Sequence, residues 1–170
     1  MATIAPTRQS PRATTAPDRY EQVLAVGAII LLAAALIAIA RGHRDWPMVP
    51  MLIWWHLATI LTALVLTPVM LLRPRGDARH RVLGTIWVAA MLGTALLSFG
   101  IRVTNDGRLS IIHILSVWVL IQVPILWWTA RTHRVARHRR AVRGIVTGAL
   151  LIAGFFTFPF DRLLGHWLFG

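Results

Sequence analysis

WPMVPMLIWWHLATILTALVLTPVMLL, residues 46–72, carries one histidine and no charged side chain, and its reading decides the fold. At about 1.5 Å per helical residue this stretch can cross a hydrocarbon core of about 30 Å. Four more uncharged runs flank it, at 23–40, 82–101, 109–130 and 144–160. Within lipid a helix satisfies its own backbone and an open strand does not, so the pattern predicts an all-α membrane protein with five transmembrane helices.

Composition agrees. Of 170 residues, 56% are hydrophobic and 14% charged, the mean hydropathy is +0.64 and the formal net charge is +12. Soluble domains carry about a quarter charged residues. A nucleic-acid-binding surface would spread its arginines over a solvated face, whereas here they cluster between apolar runs, so nucleic acid is not an expected partner. All 18 basic residues are Arg, a choice that reflects genome composition more than chemistry. With no cysteine, disulfides, thiolate metal sites, iron–sulfur clusters and covalently attached haem are excluded.

Arginine placement predicts orientation. Arg8, Arg12 and Arg19 precede the first run. Arg73, Arg75, Arg79 and Arg81 follow the second, and Arg131, Arg134, Arg137, Arg139, Arg140 and Arg143 follow the fourth. These thirteen face five on the other side: Arg41, Arg44, Arg102, Arg108 and Arg162. The positive-inside rule puts the N-terminus in the cytoplasm and the C-terminus outside, in a bacterial inner membrane. The first run is longer than the core of a cleaved signal peptide and reads as a signal-anchor helix. Residues 1–19 read as a disordered cytoplasmic tail, 20–45 as the first helix with an outer loop, 46–160 as a four-helix bundle and 161–170 as a short outer tail. Trp46, Trp54, Trp55, Trp127 and Trp128 suit interfacial belts.

An internal repeat organises the polar residues. His56-Leu-Ala-Thr59 aligns with His113-Ile-Leu-Ser116, Pro68 with Pro124, Arg73 with Arg131, and Ala78-Arg79-His80-Arg81 with Ala136-Arg137-His138-Arg139, at offsets of 56–58. The bundle therefore reads as a pseudo-symmetric, duplicated helical hairpin. His56 and His113 fall in the outer half of the membrane, His80 and His138 at the cytoplasmic helix ends. Two imidazoles facing each other at one depth are what a b-type haem needs from a bundle. The outer pair, His56 and His113, lies within uncharged runs and supplies the first candidates for haem iron. The inner pair, His80 and His138, sits in a basic rim where binding of anionic headgroups is the stronger expectation. Arg79, Arg81, Arg137, Arg139 and Arg140 are candidate contacts for lipid or for haem propionates. Thr59 and Ser116, one turn from their histidines, can bond a helix carbonyl or orient the ring. His43, His133 and His166 read as solvated.

The five runs contain no Asp, Glu or Lys, which argues against a carboxylate proton relay or a charge-lined pore. No nucleophile motif, phosphate-binding loop or zincin helix is present, so hydrolysis and phosphoryl transfer are poorly supported.

Two resemblances add expectations. From His56 to the C-terminus, His-Arg-Val-Leu-Gly at 80–84, His113 opening an apolar helix and Arg-His-Arg-Arg at 137–140 resemble a bacterial family of membrane proteins, domain-of-unknown-function family 2306. That family implies four core helices and no established activity. Its members often carry Met shortly after the second basic motif, where this chain has Ala141-Val142. The layout is also similar to that of ascorbate-reducible transmembrane di-haem cytochromes b, which implies one haem between the second and fourth helices and another between the third and fifth. On this chain those positions are His56 with His113 and His80 with His138. Two functions follow as expectations: a small b-type haem-binding electron-transfer protein, or a cofactor-free accessory or scaffold subunit of a larger respiratory or photosynthetic membrane complex.

Overall fold

The computed structural model describes residues 16–101, 111–159 and 162–170. Among them every regular element is helical: α1 (Arg19–Arg41), extended by a 3₁₀ stretch Gly42–Met48; α2 (Met51–Leu72); α3 (Ala78–Ser98); α4 (Ile111–Arg131); α5 (Val135–Ile145), which passes through a π-helical stretch Val146–Ile152 into α6 (Ala153–Phe155); and α7 (Leu163–Phe169). Residues 1–15, most of the expected tail, lie outside the described residues, as do Arg102, Asp106, Arg108 and Asp161.

Four helices are long and apolar enough to cross a membrane: α1 with its 3₁₀ extension, α2, α3 and residues 113–131 of α4. The molecule is a multi-pass helical protein with apolar side chains turned outward. Val23, Val26, Ile30, Ile114 and Ile121 are all exposed, which suits lipid better than water. The fifth run behaves differently. Its helix begins at Val135, within the arginine cluster, and changes to π geometry at Val146. In α5 the Arg137 and Arg140 side chains are exposed while Ile145 is buried, so one face is basic and the other enters the core.

Helix ends follow local chemistry. Asp18 caps α1, so Asp18 and Arg19 belong to the helix rather than to the tail. Asp77 Oδ1 accepts the His80 backbone N–H at 2.7 Å to start α3. Gly76, at φ 91°, reverses the chain just before that cap, a conformation open to glycine at no steric cost. His133 takes a left-handed φ of 54° where α4 turns into α5.

Each long helix packs on its sequence neighbours, and the π-helical stretch returns to α1, so α1 to α5 close a ring. Leu24, Ala25 and Ala28 of α1 share one core with Leu64, Met91, Val123 and Val146. α1 is thus an integral wall of the bundle and not an anchor set beside a four-helix unit. Inside, Trp87 Nε1 donates to Thr67 Oγ1 at 2.9 Å, and that hydroxyl donates to the Ala63 carbonyl at 2.7 Å, satisfying the buried polar atoms next to Pro68. Gly93 lets α3 approach Thr59 of α2, and Gly148 faces Trp118 of α4, so both glycines lie at helix contacts.

The residues expected as an outer tail form α7, which packs on α1. Trp167 is buried there, its ring 6.5 Å from Trp54, and its Nε1 donates to Asp45 at 2.9 Å. Trp46 stands edge-on to Trp54 at 5.5 Å. These tryptophans therefore staple α7, α2 and the 3₁₀ stretch together. Gly42 is required by this arrangement, since a Cβ there would lie 2.1 Å from the Trp167 ring. Gly42→Ala should displace α7 and lower stability by about 1–3 kcal/mol. Thermal unfolding in detergent, read by tryptophan emission, checks this; an unchanged midpoint contradicts the packing.

Candidate functional site

Glu21 is the hub of one end of the bundle. It stands three residues after Asp18, and the pair forms a reciprocal capping box: Asp18 Oδ1 accepts the Glu21 N–H at 3.0 Å, and Glu21 Oε2 accepts the Asp18 N–H at 3.1 Å. The Glu21 side chain is 2% exposed and three guanidiniums reach it. Arg75, from the α2–α3 turn, donates Nη2 to Oε2 at 2.5 Å. Arg139 of α5 grips both oxygens, Nε to Oε1 at 2.6 Å and Nη2 to Oε2 at 2.7 Å. Arg143, one turn on, reaches Oε1 at 3.2 Å through Nη2 and also pairs with Asp18. This bidentate, multi-donor geometry is what a desolvated carboxylate needs to remain ionised.

The network brings the start of α1, the α2–α3 turn and the start of α5 to one end, the three segments whose arginines the sequence groups together. His80 and His138 are at that end too, both half-buried and within electrostatic reach of each other and of Arg75. His138 Nδ1 donates to the Leu126 carbonyl at 3.2 Å, because a carbonyl only accepts, so in the neutral ring Nε2 is the unprotonated nitrogen. Arg139, expected at a lipid or propionate, is instead committed to Glu21. Arg79, Arg81, Arg137 and Arg140 remain exposed around the cluster, with Arg81 donating to the Gly76 carbonyl at 2.9 Å. Arg131 and Arg134 lie over Trp127 and Trp128, each 4.6 Å from the ring centre.

At the other end His56 and His113 both abut the last turn of α3. His56 Nδ1 donates to the Thr94 carbonyl at 3.2 Å. His113 is buried, its ring 5.7 Å from Phe99. A hydroxyl layer joins the helices here. Thr94 Oγ1 donates to Thr59 Oγ1 at 2.9 Å, Ser98 and Ser116 hydroxyls are 2.6 Å apart, and Thr59 returns its proton to helix carbonyls at His56 and Trp55. Thr59 and Ser116 thus link helices beside the histidines. His43, His133 and His166 are exposed, in keeping with the sequence. Among the described residues no three His, Asp or Glu side chains converge to hold a metal ion.

The sequence assigns no role to Asp18 or Glu21, and gives Arg75 and Arg143 only as orientation signals. One signal was available: Asp-x-x-Glu immediately before an apolar run is a capping-box pattern, and Glu21 is the chain's sole glutamate. No protein-family model, curated protein or solved structure matches the chain.

Two predictions follow from this geometry. Glu21→Gln leaves Arg75 without its carboxylate and Arg139 and Arg143 with Asp18 alone, and should lower stability by about 3–5 kcal/mol, the cost of breaking a buried pair from one side; denaturation in detergent within about 0.5 kcal/mol of the parent contradicts it. Stability should also fall with acid. Burial holds His138 below its ordinary 6.5 against the opposing pull of the Leu126 carbonyl, so its contribution is present above pH 6.5 and lost as pH falls through the lower folded value. The Glu21 N–H, and then Arg143, hold the Asp18 carboxyl below its ordinary 3.8, so that contribution is complete above pH 3.8 and lost below it. Melting temperatures over this range should rise with pH through both windows, and a maximum near pH 5 contradicts the assignment.

Proposed function

We propose that the chain is a polytopic inner-membrane protein with five crossings, its N-terminus in the cytoplasm and its C-terminus outside, that binds b-type haem and carries electrons. The carrying observation is the segregation of four histidines into two sets by helix and by end. His56 and His113, on α2 and α4, abut the last turn of α3. His80 and His138, on α3 and α5, share the Glu21 end. This is the alternation that the sequence repeat and the di-haem cytochrome layout lead one to expect.

The donor chemistry fits imidazole ligation. His56 and His138 each hold Nδ1–H on a helix carbonyl, which orients the ring and presents Nε2 as the metal-binding nitrogen. His56 and His113 are the first candidates for haem iron, with His80 and His138 as the second set. Haem supplies one-electron chemistry when bound. The chain's part is to fix the imidazoles, exclude water with its apolar helices, and offer Arg79, Arg81, Arg137 and Arg140 to propionates or anionic headgroups. The short apolar part of the fifth rod crosses with help from α5, whose basic face rests at the cytoplasmic interface.

A dithionite-reduced minus oxidised spectrum of the purified protein tests this reading. A b-type α band is expected, and His56→Ala or His113→Ala should abolish it at the outer site while the protein stays folded. A colourless, folded preparation overturns the reading and returns the chain to a cofactor-free subunit of a larger membrane complex.

A further inference from the structure

Two buried polar atoms at the Glu21 end have no hydrogen-bond partner among the described residues: Arg75 Nη1 and His80 Nδ1. They flank one turn, five residues apart, and the two side chains are within electrostatic reach. Arg75 already spends Nη2 on Glu21 and on the Leu71 carbonyl, so Nη1 brings its own pair of unsatisfied N–H groups. Buried polar atoms left without a partner lose their hydration and regain nothing for it, and a native site ordinarily fills them.

The charges select the acceptor. Around Glu21 and Asp18 three guanidiniums converge on two carboxylates, and Arg73 is paired with Asp77 at 3.8 Å. The cluster thus keeps an excess positive charge with Arg75 in it, at the helix ends, where headgroup phosphates lie. We infer that Arg75 Nη1 and His80 Nδ1–H form a binding site for one phosphate-class oxyanion, carried by an anionic phospholipid headgroup or free in solution. The inference is independent of haem: a ligating His80 would use Nε2 and would gain orientation from an acceptor on Nδ1.

The test uses the full chain, delipidated in mild detergent, and native mass spectrometry with dioleoylphosphatidylglycerol, with dioleoylglycerol as the phosphate-free probe, beside calorimetric titration with inorganic phosphate. One saturable phosphatidylglycerol molecule without inorganic phosphate binding assigns a headgroup. Saturable inorganic phosphate binding assigns a free anion. Binding of neither, or equal binding of dioleoylglycerol, overturns the site. His80→Ala and Arg75→Lys should each weaken binding about tenfold, as for a lost hydrogen bond to a charged group, with His80→Gln restoring most of it. Arg19→Gln, on an exposed arginine nearby, should change it less than about twofold. Equal losses for Arg19→Gln and His80→Ala mean diffuse attraction and overturn the site. Melting curves confirm folding, and His80→Ala alone decides the matter if Arg75→Lys unfolds.

Discussion

The Glu21 carboxylate is buried beneath Arg75, Arg139 and Arg143, and the ring of helices closes where they meet. Arg75 follows α2, while Arg139 and Arg143 lie on α5, more than a hundred residues from Glu21. Taking a carboxylate out of water is unfavourable, and only a close, multi-donor geometry offsets it. That requirement fixes register: the Glu21 Oε1 and Oε2 contacts to Arg139 are made only if α1 and α5 meet at one height and orientation. The Glu21 hydrogen bond also raises the Arg139 pKa, which keeps that guanidinium charged beside the carboxylate.

With that end fixed, the rest follows from polar satisfaction within an apolar bundle. Thr62, Thr67 and Thr85 each return a hydroxyl proton to the carbonyl one turn back. This habit lets hydroxyl-bearing residues sit in a membrane helix without an outside partner. Where two such hydroxyls face each other, Thr59 with Thr94 and Ser98 with Ser116, they also tie helices together. The opposite end is held by the buried Trp167 and Asp45, so the two ends differ in chemistry, one ionic and basic, the other aromatic.

The four apolar helices were legible in the sequence because length and lack of charge suffice to specify a membrane helix. The placement of His56 and His113 in the first half of α2 and α4, and of His80 and His138 at the start of α3 and α5, was also legible, since each is set by its distance from the edge of an uncharged run. The fifth rod was read from its apolar half alone. Its basic first turns form helix because one face is buried and the other solvated, a pattern that a search for uncharged runs discards. α7 is only Leu163–Phe169, too short for a periodic signal, and its docking depends on Gly42 and Asp45, far away in sequence. Glu21 escaped for a related reason. It lies two residues outside its apolar run, and pairing between it and Arg139 is a tertiary fact that composition does not encode.

A double-mutant cycle between Glu21 and Arg139 tests the central claim most directly. Stabilities of the parent, Glu21→Gln, Arg139→Gln and the double variant, measured by reversible denaturation in one detergent, give the coupling free energy. The structure predicts coupling of at least about 2 kcal/mol, in the range seen for close, desolvated charge pairs. Additive effects, within about 0.5 kcal/mol, would show that the two residues do not meet and that the ring is closed by something else.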